Sequence, residues 1–170
     1  MPTLPIDTID KHILSELQKD GRLSNVLLAE KVGLSESACL RRVRQLEQNS
    51  TIDRYVMLIN QTAIGKPETV FVRVTLEGQQ KDKLLAFEKE IVKVQDVMEC
   101  YLMSGDTDYL LHVIVADNQD YMRIHNRLTS LPGVLRVQSS FAMKTVVRKT
   151  ELPLLSLGQG TGSLSCKSQK

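Results

Sequence analysis

From Asn25 to Arg44 the chain reads Asn-Val-Leu-Leu-Ala-Glu-Lys-Val-Gly-Leu-Ser-Glu-Ser-Ala-Cys-Leu-Arg-Arg-Val-Arg. Ser24 and Ser35 are natural N-caps, because a serine hydroxyl accepts a hydrogen bond from a free amide of the first turn. The stretch therefore reads as two short helices meeting at Val32-Gly33-Leu34. Ala29 is small enough to let the helices approach closely, and Gly33, four residues later, supplies the left-handed backbone of a tight turn. Leu34 and Val43 seal the junction. A small residue followed by glycine at this spacing is the pattern of a helix-turn-helix.

In such a motif the second helix enters the major groove of DNA and offers its N-terminal half to the bases. Asn25, Ser35, Glu36, Ser37, Leu40, Arg41, Arg42 and Arg44 are the candidate DNA-contacting residues. Arg41 and Arg44 are suited to bidentate contacts with guanine, whereas Arg42, beside the core positions, is expected to brace the fold or hold phosphate. A plain three-helix bundle with solvated arginines would explain any one of these residues alone, but not the joint pattern. Cys39 lies on the inner face with Val43 and Leu46 and is expected to be a buried structural thiol.

Upstream, Ile9, Ile13, Leu14 and Leu17 recur at helical spacing, Asp7 caps the start and Asp20-Gly21 ends the run. Downstream, Ile52 to Asn60 is rich in β-formers (Tyr55, Val56, Leu58, Ile59) and is expected to form a small wing or linking strand. Gly65-Lys66-Pro67 punctuates the chain, after which Val70, Val72, Val74 and Leu76 alternate as in a strand. A helix with Leu84, Phe87 and Ile91 on one stripe follows. Strands over Val97 to Ser104 and Tyr109 to Val115 flank the turn-forming Gly105-Asp106-Thr107-Asp108. A further helix (Tyr121, Ile124, Leu128, Leu131) closes at Pro132-Gly133, and Val134 to Met143 is the last strand.

Strand, helix, strand, strand, helix, strand is the ferredoxin-like order, an α+β antiparallel sheet with both helices on one face. Both alternating sets of the strand Tyr109 to Val115 are largely apolar, which implies a partner subunit over the open face. The expected domains are a (winged) helix-turn-helix over 6–60, a linker over 61–68, the ferredoxin-like domain over 69–153 and a tail without order over 154–170.

The length of 170 residues and the 42% hydrophobic content allow two compact units at most. With 22 basic and 20 acidic residues the net charge is only +2, so attraction to nucleic acid must come from local clustering. Three cysteines without paired spacing fit reduced thiols. No apolar run approaches a membrane span, and the N-terminus lacks the layout of a signal peptide, so a soluble, cytoplasmic protein without membrane contact is expected.

The chain resembles the Lrp/AsnC family, the leucine-responsive or feast/famine regulators, through Ile9-Asp10, Leu14, Leu17-Gln18-Lys19-Asp20-Gly21-Arg22, Asn25, Leu28-Ala29, Val32-Gly33-Leu34-Ser35, Cys39, Arg42-Val43 and Leu46-Glu47. Ser104-Gly105-Asp106-Thr107-Asp108-Tyr109-Leu110-Leu111 is similar to the Gly-Asp-x-Asp-Tyr loop of the family's ligand-sensing domain. The resemblance spans nearly all of residues 6–153. It implies a transcriptional regulator of amino-acid metabolism genes that binds double-stranded DNA, works as a homodimer often assembled into octamers, and binds an amino acid between dimers. The effector candidates it implies are Gly105, Asp106, Thr107, Asp108, Tyr109 and Asp117, with no cofactor or metal. Amides beside Gly105 suit a carboxylate, and the aspartates suit an ammonium group. The rival reading of the loop is an ordinary hairpin whose aspartates cap backbone amides.

Two departures from the family pattern stand out. Ser50 occupies the place of a usual glycine, so Asn49 is expected to supply the left-handed residue, and Ser37-Ala38 stands where many relatives have proline. The segments Ser139 to Lys144 and Thr150 to Leu154 look like the branch that includes activators of amino-acid catabolism. An enzyme is the less favoured class, since His12, His112 and His125 lie on separate elements without a partnering acid or nucleophile. An architectural DNA-binding protein without an effector is the remaining alternative.

Overall fold

The computed structural model describes residues 6–154. The expected tail falls outside them, except for Leu154. The chain divides into two compact units: the described residues up to Met57 together with those from Val147 on, and Leu58–Val146.

The first unit holds α1 (Thr8–Lys19), α2 (Asn25–Val32) and α3 (Glu36–Gln48). Each start is fixed by a side chain. Asp7 accepts from the Asp10 amide at 2.7 Å while Asp10 reaches back to the Asp7 amide, forming a capping box. Ser24 and Ser35 accept from the amides of Leu27 and Ala38. Ile13, Leu14, Leu28, Ala29, Cys39 and Leu46 form the core. Cys39 is fully buried, and that burial pushes its thiol pKa up, in keeping with a structural role.

α2 and α3 end by the same device. Gly33 sits at φ 69°, where the Leu34 amide donates to Ala29 O (2.9 Å) and the Gly33 amide to Glu30 O (3.3 Å), a Schellman closure. At the end of α3 the Thr51 amide donates to Leu46 O and the Ser50 amide to Glu47 O, and here the left-handed residue is Ser50, at φ 56°. The expectation that Asn49 takes this conformation is corrected, because Asn49 lies at φ −82°. The closure geometry selects the position, and the residue type only sets its strain.

The expected wing is also absent. Asp53 to Asn60 form no strand, and Val56, Met57, Leu58 and Ile59 are exposed. High β-propensity does not make a strand without a neighbouring strand to complete its ladder, and among the described residues no other segment pairs with this one. Residues 61–66, expected as linker, are fastened to the second unit. Gln61 Nε2 donates to Glu68 O and Thr69 Oγ1, and Lys66 Nζ lies 2.7 Å from Asp96 and 3.0 Å from Asp120. Arg123 bridges the same two carboxylates. Despite the burial that opposes it, hydrogen bonds from Lys66 and Arg123 hold Asp96 below the ordinary aspartate value.

The second unit contains β1 (Glu68–Leu76), α4 (Lys81–Ile91), β2 (Val97–Leu102), β3 (Tyr109–Val115), α5 (Asn118–Thr129) and β4 (Val134–Phe141). The sheet is antiparallel in the order β2-β3-β1-β4, as the ferredoxin-like arrangement requires. Val70, Val72, Val74 and Leu76 of β1 share one face with Tyr109, Leu111, Val113 and Val115 of β3, and pack with Phe87, Ile91, Tyr121, Ile124 and Leu128. The opposite face carries Phe71 stacked on His112 (5.5 Å between centroids), with Leu110 and Ile114 half-buried beside them.

Ser50 is a non-glycine residue in the left-handed region, which costs about 1–2 kcal/mol, partly offset by the unfolded-state entropy that a glycine would add. Ser50→Gly is expected to stabilise the first unit by about 0.5–1 kcal/mol, read as a higher denaturant midpoint with an unchanged slope.

Candidate nucleic-acid interface

Three arginines stand within four positions of α3, and the helical rotation of about 100° per residue gives them different surroundings. Arg42 turns inward. Its Nη1 donates to Asp7 and to Asp10, both at 2.8 Å, tying α3 to the capping box of α1. The Asp7 carboxyl lies below the usual carboxylate value, held there by the Asp10 amide and by Arg42. Arg42 is thus a brace, and two carboxylates already occupy the guanidinium proposed for phosphate.

Arg41 and Arg44 turn outward and are exposed; among the described residues neither makes an ion pair or a hydrogen bond. With Ser37 and Leu40 they share an exposed face of α3 that continues through Gln45, Gln48 and Asn49. These last three lie beyond the expected contact residues, which end at Arg44. Their signal was there: Gln45 and Gln48 follow Arg41 and Arg44 by one helical step of four, which extends the same face.

The remaining candidates sit at the entrance to α3. Ser35 is engaged as N-cap, with its hydroxyl also 3.4 Å from that of Ser37, and Glu36 is exposed in the first turn. Asn25 serves the corner itself, because its Nδ2 donates to Glu36 O at 2.9 Å and so links the starts of α2 and α3. Its Oδ1 is buried without a partner. Asp7 and Asp10 face Arg42, and Glu16 faces Lys19 and Lys31, so none of these carboxylates pairs with Arg41 or Arg44.

In the second unit the loop between β2 and β3 contains Gly105, at φ 124°, with Asp106 exposed and Thr107 half-buried. Asp108 and Tyr109, both effector candidates, turn their side chains into the protein. Asp108 is 4% exposed, and its carboxylate accepts from the Leu76 amide and from Gln79 Nε2, both at 2.7 Å. Tyr109 is buried with its hydroxyl donating to Glu88 at 2.9 Å, and burial together with that carboxylate raises its pKa. The rival reading of capping aspartates thus describes Asp108. Asp117 is exposed and N-caps α5 by accepting from the Asp120 amide at 2.8 Å.

Comparison with known proteins agrees with both halves. Residues 6–47 match the AsnC-type helix-turn-helix domain, and residues 69–152 match the Lrp/AsnC ligand binding domain. The Bkd operon transcriptional regulator of Pseudomonas aeruginosa is 44% identical over 150 residues, covering 88% of this chain and 98% of that protein. The leucine-responsive regulatory protein of Escherichia coli is 40% identical over 152 residues, covering 89% and 93%. Among solved structures, a transcriptional regulator of Neisseria meningitidis in complex with L-methionine is similar at a TM-score of 0.84 and 36% identity, over 89% of this chain and 98% of that one. A helix-turn-helix with free outward arginines, joined to a ferredoxin-like domain and matched over most of its length by these regulators, makes this chain a DNA-binding transcriptional regulator of the Lrp/AsnC family.

Proposed function

We propose that the outer edge of α3 reads base pairs in the major groove through Arg41 and Arg44, with Ser37, Leu40, Gln45 and Gln48 adding contacts along the same face. The observation that carries this reading is the contrast within the helix: Arg42 is neutralised by two carboxylates, while Arg41 and Arg44 are exposed and uncommitted. A bare guanidinium on a rigid helix suits the paired acceptors of guanine. Ser35, Glu36 and Asn25 act mainly by fixing where the helix begins. The protein works in the cytoplasm, where its DNA is; no helix among the described residues is long and apolar enough to cross a membrane.

A second copy covers the open sheet face, where Phe71 is 43% exposed next to Leu110 and Ile114. Burying such a face is the usual reason for a sheet to be apolar on both sides. A symmetric dimer presents two α3 helices to successive major grooves about 34 Å apart, so operators are imperfect palindromes. Higher assembly, up to an octamer, follows the family resemblance.

The effector is an amino acid, as in the methionine complex of the Neisseria relative. The parts of the β2–β3 loop free to meet it are the backbone at Gly105, with Asp106 and Thr107. Asp108 and Tyr109 hold the loop from beneath, and Asp117 keeps one carboxylate oxygen for its helix cap. The response would adjust genes of amino-acid metabolism. An architectural protein without an effector has the same α3 but no use for the loop.

Arg44→Ala is expected to weaken specific DNA binding by about 1–3 kcal/mol and to relax base preference. A phosphate contact would instead weaken specific and scrambled DNA equally, as measured by fluorescence anisotropy on both. A panel of amino acids, methionine and leucine included, should contain at least one that raises the melting temperature or changes oligomer size. A panel that moves neither supports the architectural reading.

A further inference from the structure

The ladder of the sheet ends at Phe141, yet the described residues from Val147 to Leu154 belong to the first unit and not to the sheet domain that precedes them. This differs from the expected domain end at 153 and from the matched ligand-binding span, which runs to 152. The cause lies in two contacts. Gln18 on α1 exchanges a reciprocal pair of hydrogen bonds with Leu152: Nε2 donates to Leu152 O at 3.2 Å, and the Leu152 amide donates to Oε1 at 2.6 Å. A carboxamide carries a donor and an acceptor in one plane, so it pairs with a backbone residue as a neighbouring strand would. Two residues on, Leu154 packs against the core cluster that includes Ile13, Leu14, Cys39 and Leu46. The Leu154 amide also donates to Leu152 O at 2.9 Å, a tight turn at the end of the segment.

We propose that residues 147–154 are a strap that completes the DNA-binding domain. The strap gives that domain a second covalent tether to the sensing domain, through β4, in addition to the connection over 53–60. The core that receives Leu154 also seats α3 through Cys39 and Leu46, so the strap helps to hold the DNA-reading helix. Gln18 and Leu154 are positioning residues in this account, with no contact to DNA. A change in β4 on effector binding has a direct covalent path to the clasp on α1. This last role rests on the DNA-binding reading given above, whereas the clasp itself does not.

Hydrogen exchange by mass spectrometry on the full chain separates the two. In the wild type, the peptide containing Leu152 should exchange well below the unprotected rate. Gln18→Ala should raise exchange in that peptide and in α1 by about three- to tenfold, the effect of losing one or two net hydrogen bonds. Peptides of β1 to β4 should be unchanged, and Gln18→Glu, which keeps the acceptor for the Leu152 amide, should restore part of the protection. Affinity for double-stranded DNA should fall about three- to tenfold in both Gln18→Ala and Leu154→Ala. Gln18 is half-buried and its truncation leaves the core intact, so it decides the matter if Leu154→Ala fails to fold. Full-rate exchange at Leu152 in the wild type overturns the clasp. Lost protection with unchanged DNA affinity overturns the strap's role in holding α3. If the wild type binds no DNA at all, the DNA-binding reading fails while the exchange data still judge the clasp.

Discussion

The left-handed turn at Gly33 is the constraint on which the first unit rests. It lets the Leu34 amide reach Ala29 O and so stops α2 within one residue of its last turn, in position for Ser35 to start α3. Ala29, buried at the crossing, permits the close approach of the two helices, and Asn25 then links their starts through Glu36 O. A side chain at Gly33 would meet no steric neighbour, so it is the backbone conformation and not space that calls for glycine. With the corner fixed, the direction of every side chain on α3 follows from its number.

That direction sorts the charges. Arg42 meets Asp7 and Asp10, which are themselves engaged in capping α1, so one cluster of hydrogen bonds both starts a helix and locks α3 against it. Arg41 and Arg44 are left to solvent on the far side. A chain with a net charge of only +2 thereby presents a cationic edge without being a basic protein. The same economy governs the sensing domain, where Asp108 stitches the end of β1 and Gln79 to the start of β3 and leaves the tip of the loop to Gly105 and Asp106.

Most of the fold was legible because it is written in local signals. Caps at Asp7, Ser24 and Ser35, the glycines at 33 and 133, and the period-two valines of β1 each specify an element without reference to distant residues. Readings failed where the answer depended on a partner elsewhere. Tyr55 to Ile59 have the composition of a strand but no strand beside them among the described residues, and the burial of Asp108 depends on amides from another part of the chain. The strap was invisible for the same reason, since nothing near Leu152 announces that Gln18 will pair with it. Arg42 was the exception, because its position beside Val43 on the inner face already set it apart from Arg41 and Arg44.

The account stands on the outer edge of α3 reading guanines from the major-groove side. Dimethyl sulfate protection, on DNA selected by the purified protein from a random pool, reports access to guanine N7 in that groove. The account predicts protected guanines in two groups about one helical turn apart. Selection of no sequence, or binding that leaves every guanine N7 accessible, would contradict it.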